Sequence, residues 1–223
     1  MKSLLAVFAA LAMFGSMGVA AGGATGTVKK VDIPASDEAR QRGAEIVIST
    51  CMMCHSLKYM KFNHLSEIGM SDEQIKALLD DQKLDDKMMS VTPIEIRKES
   101  YGIVPPDLSL MAIARPKGPQ YIYTLLTSYY YNENEETDNH LFPGIKMPDA
   151  LGYVDTDEGT EDRAEAEAAA KDVVAFLVWT ADPNAEARRT LGTYVIIYLI
   201  IMTFLLYLVK KRVWSRVGES KME

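Results

Sequence analysis

The chain has 223 residues, 48% of them hydrophobic and 25% charged, with a formal net charge of −7. That is a globular composition, enough for one sizeable domain plus membrane segments. An acidic body of this kind argues against a nucleic-acid partner, which needs a basic face.

Residues 1–20 read as a secretory signal peptide. Lys2 supplies the positive start, Leu4 to Phe14 is an apolar run too short to span a bilayer, and Gly18-Val19-Ala20-Ala21 offers small residues for cleavage. The expectation is that the body, residues 21–190, is exported.

The first predicted helix begins at Ser36, a suitable N-cap, with Asp37 and Glu38 in the first turn where negative charge suits the dipole. Ala39, Gly43, Ile46, Val47 and Thr50 share one face at spacings of three and four. Gly43 weakens the helix, so its place on that face points to close approach of another helix.

The helix runs into Cys51-Met52-Met53-Cys54-His55, which holds both cysteines of the chain. Two thiols three positions apart can add to the two vinyl groups of one haem, and the histidine that follows then lies under the iron. Two other readings compete. A redox disulfide normally sits at a βα junction, and no βαβ pattern surrounds this motif. A structural zinc site needs four ligands, and His64 and His140 are not spaced to complete one.

Beyond the motif, Ser71 to Asp81 is predicted helical, with Ser71 as N-cap. Residues 82–100 are charged and weakly patterned and read as loop. Pro105-Pro106 stiffens the segment Tyr101 to Ser109 and disfavours helix just before it. Helices are expected over Asp107–Arg115, ended by Pro116, and over Gln120–Tyr129. Glu133 to His140 reads as a solvated loop and Phe142-Pro143-Gly144 as a constrained turn. Glu161 to Thr180 gives the clearest helical pattern of the body, with Ala170, Val173, Val174 and Leu177 on its buried face and Asp182-Pro183 ending it. Leu191 to Val209 is uncharged and long enough to span a bilayer. Lys210, Lys211, Arg212 and Trp214 follow, which sets the tail, residues 210–223, in the cytoplasm.

A second iron ligand has to come from the thirteen methionines or the remaining histidines. A methionine ligand needs a stiff loop, because an iron–thioether bond is weak. Met147, between Pro143-Gly144 and Pro148, meets that requirement best. Met70, Met88, Met89 and Met111 remain as rivals, and so do His64 and His140. A Met/His pair would raise the haem potential. The order helix, Cys-x-x-Cys-His, loops, Met, helix gives the expected fold class: mainly α, a class I cytochrome c-like haem domain followed by one C-terminal transmembrane helix.

The residues resemble the cytochrome c1 family, the anchored haem subunit of quinol–cytochrome c reductase, the cytochrome bc1 complex. The resemblance is carried by Arg42-Gly43, Cys51-x-x-Cys54-His55-Ser56, Pro105-Pro106-Asp107-Leu108-Ser109, Ala114-Arg115 and Tyr121. It continues through Asn139, Phe142-Pro143-Gly144, Met147-Pro148, Lys171-Asp172-Val173, Trp179 and the C-terminal span. It implies one covalently bound haem c, with thioethers from Cys51 and Cys54 and iron ligands His55 and Met147. It further implies Arg115 at a haem propionate with Tyr121 assisting, and Pro105-Pro106 packed by the haem. A backbone carbonyl of that proline pair is expected to orient the second nitrogen of His55. The implied function is one-electron transfer from a Rieske iron–sulfur protein to cytochrome c, in a dimeric complex with cytochrome b. No catalytic side chain is required. The chain would sit in the bacterial inner membrane as a single-pass protein, its haem domain in the periplasm. The alternative is a stand-alone membrane-anchored c-type cytochrome that shuttles electrons to a terminal oxidase. The acidic stretches Glu133 to Asp138 and Asp155 to Glu167 either steer a basic cytochrome c or are simply solvated. The sequence departs from the family at Ser128, where glycine is frequent, in the run Tyr129-Tyr130-Tyr131, and in a short stretch between His55 and Tyr101.

Overall fold

The computed structural model describes residues 26–219, so the signal segment 1–20 lies outside the described residues. The body is mainly helical. Its frame is a crossing of two helices, α1 (Asp37–Ser49) near the start and α6 (Glu161–Ala181) near the end. Both start as their sequences dictate. The Ser36 hydroxyl accepts from the Ala39 amide and the Thr160 hydroxyl from the Arg163 amide, and each first turn is acidic.

Gly43 makes the crossing possible. A Cβ there would stand 2.0 Å from the Asp172 carbonyl oxygen of α6 and 2.9 Å from Phe176 Cβ, so only hydrogen fits. Beside it, Arg42 clasps the Asp172 carboxylate with two parallel bonds of 2.6 and 2.9 Å. Val47 from α1 and Val173, Val174, Phe176 and Leu177 from α6 join the core there.

Between the two helices the chain builds a layer of short elements. A 3-10 turn over Cys51–Met53 leads to β1 (Leu57–Lys61), then a 3-10 segment Phe62–Ile68 and α2 (Asp72–Ala77). β2 (Lys87–Met88) pairs antiparallel with β1. α3 (Ile94–Tyr101) ends on Gly102 at φ 71°, a left-handed position that suits glycine. Residues 82–100, expected as loop, therefore contain a strand and a helix. The expected helix 107–115 shrinks to a single turn, α4 (Met111–Ala114). The reason is local. Pro105-Pro106 keeps the entry extended, and the Asp107 carboxylate accepts from the Ser109 amide to close a turn instead of opening a helix.

α5 (Gly118–Leu126) follows, with Pro119 in its first turn. The helix expected over Gln120–Tyr129 stops at Leu126, and β3 (Tyr129–Tyr131) pairs antiparallel with β4 (Thr137–Asn139), which lies in the stretch 133–140 expected as solvated loop. α7 (Ala185–Glu219) is one continuous helix of 35 residues. Its portion Ala185–Ser215 is long and apolar enough to cross a membrane, and its most apolar stretch is not buried against the body. It contains the expected span 191–209 and extends it in both directions.

Candidate haem centre

The Cys51–Met53 turn is tied into the body by its carbonyls. The His55 amide donates to Cys51 at 2.8 Å, and the Val91 amide donates to Met52 at 3.1 Å. Both cysteines are half-buried and unpaired with each other. Burial, then the neighbouring Cys54, pushes the Cys51 thiol up to about 11. That is opposite in direction to the depressed value of a redox-active thiolate.

His55 is buried, and its Nδ1 lies 2.7 Å from the Pro106 carbonyl oxygen. A carbonyl can only accept, so Nδ1 carries the proton and the lone pair of Nε2 is left for a metal. This is the carbonyl acceptor expected from the proline pair, contributed by Pro106, with half-buried Pro105 next to it. Burial above all, reinforced by the Arg97 guanidinium, holds the ring's pKa below its ordinary value against the opposing Pro106 bond.

Why Pro106 arrives there is legible bond by bond. The Leu108 amide donates to the Ser56 carbonyl at 2.8 Å and the Lys58 amide to the Asp107 carboxylate at 2.9 Å. The Tyr59 amide donates to the Ser109 hydroxyl at 3.2 Å. The segment Pro106–Ser109 is thus laid alongside His55–Tyr59, and each of its four residues makes one of these bonds.

Met147 sits on a loop fastened at several points. The Tyr129 hydroxyl donates to the Met147 carbonyl at 3.0 Å. Burial, then Asp149, pushes the Tyr129 phenol well above its ordinary range, so it keeps the proton this bond needs. Asp138 accepts from the Gly144 amide at 2.8 Å. Fully buried Asn139 accepts from the Leu141 and Phe142 amides and donates to the Leu125 carbonyl of α5. Met147 itself is half-buried against the core.

The rivals are placed otherwise. His140 stacks flat on Tyr130, ring centroids 3.9 Å apart, and His64 accepts from the Lys61 amide within its own turn. Met88 and Met70 are packed inside the core, and Met89 is exposed. Met111 is half-buried at the start of α4. Arg115 and Tyr121 are brought together, the guanidinium 5.0 Å from the ring centroid. Among the described residues, no group of three or more His, Cys, Asp or Glu side chains is set to hold a metal ion by itself.

One residue of the site was missed from sequence. Arg97 of α3 is buried and donates to the Cys54 carbonyl at 2.7 Å. The only signal for it was its place between the motif and the proline pair, in a stretch read as loop. The donor set fits a c-type haem: two free thiols, an imidazole with its tautomer fixed for metal binding, and a thioether on a braced loop.

A family model described as the Cytochrome C1 family matches residues 26–217. The chain belongs to the cytochrome c1 family. It is 33% identical over 198 residues to a protein of Nitrosomonas europaea named ammonia monooxygenase gamma subunit, covering 81% of this chain and 84% of that one. It is 31% identical to cytochrome c1 of Rhodospirillum rubrum, with 79% and 81% covered. It is 33% identical to a Bradyrhizobium diazoefficiens protein named cytochrome b/c1, where 79% of this chain matches 33% of the relative. As a member of the cytochrome c1 family the chain has haem c as its covalently bound cofactor and transfers electrons within a bc1-type complex.

Proposed function

We propose that this chain holds one haem c through thioethers from Cys51 and Cys54, with His55 and Met147 as the iron ligands. In this reading it relays single electrons from a Rieske iron–sulfur protein to a cytochrome c. The observation that carries the reading is the 2.7 Å bond from His55 Nδ1 to the Pro106 carbonyl. It fixes the tautomer and orientation of a histidine directly beside the cysteine pair. When bound, the haem supplies a one-electron Fe(III)/Fe(II) couple.

The protein's own residues do the rest. The cysteine pair tethers one edge, and the Pro106 carbonyl aims the imidazole and raises its basicity. Tyr129, Asp138 and Asn139 brace the loop that presents Met147. Arg115, held over Tyr121, offers a cation for a propionate carboxylate. No side chain has to exchange a proton with substrate.

Residues 21–190 form the haem domain, placed in the periplasm after removal of residues 1–20. The basic cluster Lys210, Lys211 and Arg212 keeps the tail 210–223 in the cytoplasm, with 191–209 in the hydrocarbon core of the inner membrane. The proposed partners are cytochrome b, the Rieske protein and cytochrome c, in a dimeric complex. The Bradyrhizobium relative that carries both names in one chain supports the pairing with cytochrome b. The acidic stretch Asp155 to Glu167 is available to steer a basic cytochrome c.

Peptide mapping of the denatured protein tests the attachment. The fragment containing Cys51 to His55 is expected to retain the mass of a haem. Met147→Leu is expected to lower the midpoint potential, since a thioether ligand raises it. An unchanged potential would transfer the ligand role to Met88, Met89 or Met111.

A further inference from the structure

Arg97 is the feature of the site that the family role leaves unused. It is 9% exposed, its NH1 is committed to the Cys54 carbonyl, and its Nε is buried with no hydrogen-bond partner among the described residues. None of the ion pairs found among the described residues involves it. The Asp107 carboxylate also faces His55, but it is occupied by the Lys58 and Ser109 amides. A buried guanidinium without a paired anion is costly, and a hydrogen bond to one carbonyl does not neutralise it. It is nevertheless held firmly. Arg97 belongs to α3, whose left-handed end at Gly102 feeds the Pro105-Pro106 segment.

We infer that Arg97 is a positioning and charge-setting residue of the haem centre. Its guanidinium fixes the Cys54 end of the attachment turn and places a permanent positive charge beside His55, which favours the ferrous over the ferric form of iron bound there. The inference rests on haem attachment at Cys51, Cys54 and His55. The oxidised centre carries one more positive charge than the reduced one. A fixed cation nearby, poorly screened because it is buried, therefore destabilises the oxidised form more. Through protein of moderate effective dielectric the effect on a one-electron equilibrium is about tenfold.

The test is a redox titration of the haem in the detergent-solubilised holoprotein, for the unmodified chain, Arg97→Lys and Arg97→Gln. Covalent haem is measured first, on the denatured proteins. Its absence from the unmodified chain would sink the attachment reading itself, separately from the inference about Arg97. With haem present, Arg97→Gln is expected to shift the equilibrium about tenfold toward the oxidised form, which is about 59 mV for one electron. Arg97→Lys, which keeps the charge and gives up the guanidinium fork, is expected to retain most of the potential. An unchanged potential in Arg97→Gln would overturn the inference. So would a tenfold loss in Arg97→Lys, which would make the fork and not the charge decisive. If Arg97→Gln loses its haem, Arg97→Met, which removes the charge and keeps the length of the side chain, is titrated in its place with the same expected shift, and an unchanged potential there would overturn the inference.

Discussion

The bond from Tyr129 to the Met147 carbonyl is a single hydroxyl acting on a single backbone oxygen, so it can be removed without disturbing packing. Tyr129→Phe is expected to cost about 1 kcal/mol locally. Amide exchange in residues 142–149 should then quicken by about fivefold while the rest of the body is unchanged. Equal protection in both proteins would show that the loop is held without this bond. Asp138 acts on the same loop and brings a pH dependence. Its carboxyl is held below its ordinary value chiefly by the Asn139 amide, then by the Gly144 amide. Because the folded pKa is depressed, its contribution is present above the ordinary value of about 3.8 and is lost as pH falls through the lower folded one. Protection of the loop should fall across that acid window, and Asp138→Asn should abolish the fall. A variant that still loses protection over the same range would place the titrating group elsewhere.

The α1–α6 crossing is where a sequence expectation and the coordinates meet most closely. Gly43 on a buried helical face implied close approach of another helix, and the Asp172 carbonyl fills that place. Gly43→Ala forces a Cβ against backbone that cannot swing aside, an overpacking cost of about 1–3 kcal/mol. Arg42→Gln removes a bidentate pair, but Arg42 is 59% exposed, so solvent screening limits the loss to about 1 kcal/mol at most. Thermal unfolding of the two variants should therefore rank alanine as the more damaging, and the reverse order would mean that the helices separate easily. The helices with an apolar face at helical spacing, α1 and α6, and the uniformly apolar span in α7 were legible in advance. The short ones were not. β2, α3 and the β3–β4 hairpin carry too few residues to show a period, and they exist because tertiary partners hold them. Arg97 of α3 donating to Cys54 and Asn139 of β4 donating to Leu125 are such contacts. The same limit explains the site. The Cys-x-x-Cys-His motif and the loop of Met147 announce themselves through spacing and proline. Arg97 has no neighbour in sequence that reveals its partner Cys54, 43 positions away.

At the scale of the whole molecule, one acidic body and one long apolar helix divide the work. In the proposed reading the body draws its two thiols, its oriented imidazole and its thioether from segments spread over residues 51–147, and α7 is long and apolar enough to serve as the membrane anchor. Nothing in this arrangement needs a catalytic side chain, which is the behaviour of a redox subunit whose donor and acceptor are other proteins. The distinction from a free-standing anchored carrier lies in what the body is bound to. The deciding measurement is gentle extraction of the chain from its native membrane by a C-terminal tag, with identification of everything that accompanies it and an assay of quinol-driven cytochrome c reduction. A multi-span cytochrome b and a Rieske protein are expected in the same particle, with reduction of cytochrome c that depends on quinol. A single haem protein, stable without partners and unresponsive to quinol, would contradict that expectation.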